Sequence, residues 1–217
     1  MIDERLKQLR EKVIVMAVLA ESMIVRSIKA LQEKNIELIR QVIDTDEPKV
    51  NEMEIEIDEM CASIIALFQP EAKDLRTVLT VMKINNDLER IGDMAVNICE
   101  SAEFLIGRPK IKPLITIPNM QNATIAMLKD SISSFMNENI ELAHNVITRD
   151  DIVDEYKEQI LRELITYMLS DAQTIERSIH LMKIATNLER IADLSTNICE
   201  DTIFMVQGKI VKHMNET

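Results

Sequence analysis

At 217 residues and 47% hydrophobic composition, the chain has enough apolar material for the core of one domain or two small ones. Its formal charge of −12 argues against a nucleic-acid partner, since neutralising phosphates takes clustered Lys and Arg, and suits divalent cations or basic partners instead. Three Gly, five Pro, four Phe, two Tyr and no Trp supply too little turn and strand chemistry for a β protein, so the composition predicts an all-α fold.

The first element is a long helix whose core face carries Leu6, Leu9, Val13, Met16, Met23 and Ile28 at helical spacing. It contains the longest apolar run, VIVMAVLA at residues 13–20, far short of the ~20 residues a membrane span needs. A short helix, NIELIRQVI, follows from Asn35, and the prolines then mark boundaries. Pro48 begins a glutamate-rich helix over residues 51–68. Pro70 opens one that runs to Ile106, where Gly107 is expected to supply a left-handed C-cap. The stretch GRPKIKPLITIP carries three prolines and no helical period, so it reads as a linker. The same order then recurs: a long helix from Asn119, the short NIELAHNVI from Asn139, a helix over residues 152–169, and a last helix over 172–206 stopped by Gly208.

The recurrence is visible in three places. NIELIRQVI and NIELAHNVI agree at six of nine positions at an offset of 104. Val50-Asn51-Glu52 answers Val153-Asp154-Glu155 at 103, and residues 83–104 agree with 183–204 at 12 of 22 positions, an offset of 100. The chain is therefore expected to hold two tandem three-helix bundles, each with one extra short helix, in an antiparallel domain about 50 Å long. The units are residues 1–107 and 119–208, with a linker at 108–118 and a tail at 209–217. The extra residue near 46–48 in the first copy reads as a loop detail.

The chemistry sits in the closing segments, KINNDLERIGDMAVNICESAEF and KIATNLERIADLSTNICEDTIF. Glu89 and Asp93 lie one helical turn apart on one face, as do Glu189 and Asp193, with Asn97, Glu100, Asn197 and Glu200 continuing the two polar stripes. Ile84, Leu88, Ile91, Ala95 and Ile98, and their counterparts Ile184, Leu188, Ile191, Ser195 and Ile198, form the opposite, core-facing stripe. Two carboxylates at this spacing repel, so something should compensate. One reading is a solvated face salt-bridged by Arg90 and Arg190; the other is a hard-cation site whose oxygen ligands come from two helices and hold magnesium, manganese, zinc or iron. Glu, Arg and Asp are kept in both copies while Asn85/Ala185 and Glu103/Ile203 differ, which favours the cation site. Gly92 and Ala192, between the acids, leave room either for a cluster or for tight helix packing.

Other signatures are missing. Phosphate-loop, dinucleotide, nucleophile-elbow and HExxH motifs do not occur. The alternative function is a carboxylate-bridged metal-dependent enzyme of helical-bundle type using iron or manganese; the ferritin-type di-iron form needs two Glu-x-x-His pairs, whereas only Glu141 and His144 match, and His180 and His213 fall outside the repeated segment. Cys61, Cys99 and Cys199 are odd in number and lack CxxC spacing, which predicts reduced core thiols in a cytoplasmic protein. The start, MIDERLKQLREK, has no secretory h-region.

With the duplicated LERIGD…NICE and LERIAD…NICE, the paired short helices and the VNE/VDE starts, the chain resembles the PhoU family of phosphate-signalling regulators from Arg5 to Gly208. The resemblance implies a cytoplasmic, often dimeric adaptor rather than an enzyme, one that negatively regulates phosphate uptake and phosphate-starvation signalling. Its implied partners are the ATPase subunit of a phosphate ABC transporter and a sensor histidine kinase, with peripheral membrane association only through them. It also implies metal clusters, of iron or other divalent ions, on E(D)xxxD motifs, here Glu89, Asp93, Glu189 and Asp193. Many family members place a histidine after the motif aspartate where this chain has Met94 and Leu194. That leaves oxygen donors, which suit harder ions better than zinc.

Overall fold

Eight α-helices form among the described residues, 2–111 and 115–209, of a computed structural model, and no strand is found among them. In chain order they are α1 (Ile2–Glu33), α2 (Ile36–Gln41), α3 (Glu47–Phe68), α4 (Ala72–Ile106), α5 (Thr116–Asn137), α6 (Ile140–Thr148), α7 (Asp150–Ser170) and α8 (Ile175–Gln207). Helices α1, α3 and α4 make one three-helix bundle and α5, α7 and α8 the other, with the short α2 and α6 at the corresponding turns. His213 and most of the tail lie outside the described residues, as do positions 112–114 of the linker.

Local chemistry explains most boundaries. Asn35 caps α2 by accepting from the Glu37 amide at 3.0 Å, and Asn139 caps α6 by accepting from the Leu142 amide at 3.0 Å. Pro48 occupies the first turn of α3, which therefore starts at Glu47, four residues before the expected start. Helix α4 starts at Ala72 rather than at Pro70, after a left-handed Gln69 (φ 47°) closes α3. Gly208 ends α8 in the left-handed conformation (φ 69°), but Gly107 does not: at φ −79° it leaves α4 without that cap. Helix α5 begins at Thr116, inside the stretch read as linker, with Pro118 tolerated in its first turn.

The extra residue of the first half is no loop. Val42–Asp46 form a π-helical turn, so the chain passes from α2 into α3 without leaving the helical region, whereas the second half breaks at Arg149 between α6 and α7. A single inserted residue is what converts an α turn to a π turn.

The middle of the molecule is built from α1, α4, α8 and α5. Helices α4 and α8 run antiparallel: Thr80 Oγ1 donates to the Asp201 carbonyl at 3.3 Å near one end, and the Phe104 and His180 rings stack 3.8 Å apart near the other. Helices α1 and α5 are antiparallel too, with Arg10 bound to Glu138 at 3.0 Å and Gln121 donating to the Ile24 carbonyl at 3.3 Å. Both core stripes are buried as their spacing predicts, from Ile84 to Ile98 and from Ile184 to Ile198. Each fully buried Ile or Leu contributes about 1.5–3 kcal/mol, so these stripes fix which faces of α4 and α8 remain for chemistry.

Candidate metal centre

In the first half, Glu89 and Asp93 project from α4 toward the start of α3. Close approach of the two helices sets this up: a Cβ added to Gly92 would lie 3.3 Å from Val50 Cγ1, so the small residue serves tight packing. That contact brings Glu47, Asn51 and Glu54 of α3 alongside. Burial raises the Glu89 carboxyl above its ordinary pKa, with Asp93, Glu54 and Glu47 adding to the rise and Arg90 opposing it. Asp93, although largely exposed, is raised as well, first by the partial burial of its carboxyl against α3 and then by the charge of Glu47. Among the described residues neither acid has a salt-bridge partner, because Arg90 leans toward Asp87, at 3.5 Å.

Asn51 completes the set. Its amide nitrogen donates to Glu47 Oε1 at 2.7 Å, and its Oδ1 is buried with no hydrogen-bond partner. A buried carbonyl-type oxygen left without a donor, amid carboxylates that raise one another's pKa, is the arrangement a hard cation would satisfy. The donor chemistry fits oxygen-coordinated metal.

The second half repeats the plan with α7 facing α8. Asp150 is pushed up to about 6, first by burial and then by Asp193, Asp154, Glu189 and Asp151. Asp193 is raised by burial, then by Glu189 and Asp154, against the lowering effect of Lys157 and Arg190. Lys157 Nζ also donates to Glu189 Oε1 at 2.9 Å, an ion pair the sequence reading did not foresee.

The four acids expected from sequence thus gain partners on a second helix in each half: Glu47, Asn51 and Glu54 in one, Asp150 and Asp154 in the other. The available signal was their own four-residue spacing, Glu47 to Asn51 and Asp150 to Asp154. Among the described residues no three His, Cys, Asp or Glu side chains are grouped tightly enough to hold a metal ion as they stand, so an ion would be held only if these side chains moved together. Asn197 lines the α4–α8 groove with Asp87, Arg90 and Asp201, and Asp93, Asn97 and Glu100 are exposed. His144 is exposed on α6, and Cys61, Cys99 and Cys199 are buried with thiols pushed up to about 12.

The PhoU domain pattern matches residues 13–102 and again residues 117–202. The chain belongs to the PhoU family. It is 42% identical to the phosphate-specific transport system accessory protein PhoU homolog of Aquifex aeolicus, over 98% of this chain and 96% of that one. It is 35% identical to PhoU of Escherichia coli K12, over 98% of this chain and 88% of the relative. The crystal structure of PhoU from Pseudomonas aeruginosa superposes with a TM-score of 0.91 at 31% identity, covering 96% of this chain and all of that one. The phosphate transport system regulatory protein PhoU from Streptococcus pneumoniae gives 0.88 at 25% identity, covering 97% and 99%. The two domain copies coincide with the two three-helix bundles, each holding one carboxylate set. As a PhoU-family member the chain is an accessory protein rather than an enzyme.

Proposed function

We propose that this chain is a metal-binding regulatory adaptor that negatively regulates phosphate uptake and phosphate-starvation signalling. The observation that carries the phosphate-transport part is similarity along nearly the whole chain to relatives named as phosphate-specific transport accessory proteins. Linkage of a phosphate ABC transporter's ATPase subunit to a sensor histidine kinase is the finer form of this proposal. No helix among the described residues is long and apolar enough to cross a membrane, which accords with a cytoplasmic adaptor reaching the membrane through its partners.

The metal part rests on the two carboxylate sets. Glu47, Asn51 Oδ1, Glu89 and Asp93 would hold an ion in the first half, and Asp150, Asp154, Glu189 and Asp193 in the second. All eight donors are oxygens, which favours iron, manganese or magnesium over zinc. A bound ion would neutralise repelling acids and tie α3 to α4 and α7 to α8. The outer face of α1 exposes Val15 and Val18, each 58% exposed, between Lys12, Arg26 and the α3 acids Glu52 and Glu56. An exposed apolar centre of this kind would be covered if a second copy packed against it about a two-fold axis, which supports a homodimer.

In a deletion strain grown in abundant phosphate, a phosphate-starvation reporter is expected to be derepressed, and wild-type chain should restore repression. Unchanged repression in the deletion strain rejects the regulatory role. For the dimer, Val15→Asp with Val18→Asp should halve the solution mass by light scattering; a wild-type monomer rejects it.

A further inference from the structure

The two halves carry their carboxylate sets at matching positions with one charge reversed. At the offset of 103 that aligns α3 with α7, Glu47 answers Asp150, Asn51 answers Asp154, and Glu54 answers Lys157. Glu54 adds negative charge beside Glu89. Lys157 instead reaches Glu189, with Nζ 2.9 Å from Oε1 and side chains only 28% and 17% exposed.

From this pair we infer that Lys157 is a built-in counter-ion of the second set, so that the halves are unequal: a divalent ion enters the α3–α4 set directly, but enters the α7–α8 set by displacing the Lys157 ammonium from Glu189. The inference rests on the reading of both sets as cation sites. The first set has three acids, Glu47, Glu89 and Asp93, with Glu54 as a fourth beside Glu89 and no lysine among them, and its neutral member Asn51 presents an amide oxygen. The second also offers four acids, but one of them already holds a charge-assisted hydrogen bond that an incoming ion must break. The arginines add to the inequality: Arg90 turns to Asp87, at 3.5 Å, whose counterpart in the second half is the neutral Asn187, whereas Arg190 lies close enough to Asp193 to oppose its rise. A tethered ammonium also gives the second site a defined metal-free state: Lys157 links α7 to α8 before loading and is released into solvent after it. Occupancy of the second half would therefore switch a surface charge as well as a metal.

The test is calorimetric titration of Mn²⁺ into the full chain stripped by chelator. Wild type is expected to show a tight and a weak class of sites. Asp93→Asn should remove the tight class and Asp193→Asn the weak one. Lys157→Gln should tighten the weak class about tenfold, the gain from abolishing one charge-assisted hydrogen bond, and leave the tight class unchanged. Lys157→Glu, which recreates the first half's arrangement, provides a second variant, and Glu54→Lys should weaken the tight class. Two equal classes in wild type, or a weak class that Lys157→Gln leaves untouched, overturns the inference while the cation reading survives. Absence of Mn²⁺ uptake by wild type and Lys157→Glu alike overturns both.

Discussion

Arg149, at the α6–α7 break, donates to Asp130 of α5 at 2.6 Å, and this ion pair is the charge-reversed counterpart of Arg26 on α1 bound to Asp46 at the end of the π turn. Arg26 and Asp130 are related by the offset of 104 and Asp46 and Arg149 by 103. An acid and a base have exchanged places between copies, so it is the bond at the junction that both halves need. Each pair anchors the long first helix of its half to the residue directly before Glu47 or Asp150, and so holds the carboxylate set in register. Asp46 is the more enclosed acid, 5% exposed against 39% for Asp130. Arg26→Ala is expected to cost about 2 kcal/mol and Arg149→Ala about 1 kcal/mol by urea denaturation. The swap Arg26→Asp with Asp46→Arg should recover most of the loss; a double variant no better than its singles removes the pair's role.

Asp150 makes metal-free stability depend on pH. Its folded pKa of about 6 lies above the ~3.9 of an unfolded aspartate, so the folded state holds the proton more tightly. The contribution is fully present below about pH 4 and is lost as pH rises through about 6. Asp150→Asn, which mimics the protonated form, should match wild type near pH 4 and exceed it by about 1–2 kcal/mol near pH 7 in chelator, after allowance for partial solvent exposure. A difference that does not change with pH contradicts this. Since an ion needs the ionised carboxylate, Mn²⁺ affinity should rise over the same interval.

Gly92 separates packing from helix propensity. Alanine in a helix gains about 1 kcal/mol over glycine, but here its Cβ meets Val50 at 3.3 Å, so Gly92→Ala should leave stability within about 0.5 kcal/mol of wild type. Ala192 at the equivalent place in the second half shows that a methyl group is accommodated there. Gly92→Leu must push α3 away and is expected to cost about 3 kcal/mol and to weaken Mn²⁺ binding at the first set. Thermal melts and titration of both variants check this; tight binding in Gly92→Leu would show that α3 supplies no ligand.

Phosphate should not bind the metal-free chain tightly. Carboxylate-lined faces repel an anion, so under the proposed function a phosphate response is expected to run through bound metal or partner state. Calorimetry with inorganic phosphate is expected to show no tight site after chelation. A micromolar site in chelator contradicts this.

The all-α class, the duplication, the two buried stripes and the pairs Glu89–Asp93 and Glu189–Asp193 are all legible in the amino-acid order alone. Each of these is a property of one helix, or of one helix compared with its copy, and spacing along the chain reports a helix's own faces directly. What those faces meet is a matter of how the helices pack. That Glu47 and Asn51 stand opposite one pair, that Lys157 bonds Glu189 from 32 residues away, and that an inserted residue becomes a π turn all depend on the rotation and axial register of one helix against another. Those are set by close contacts such as Val50 on Gly92, where a few tenths of an ångström decide the approach, and no periodicity within a single helix encodes them.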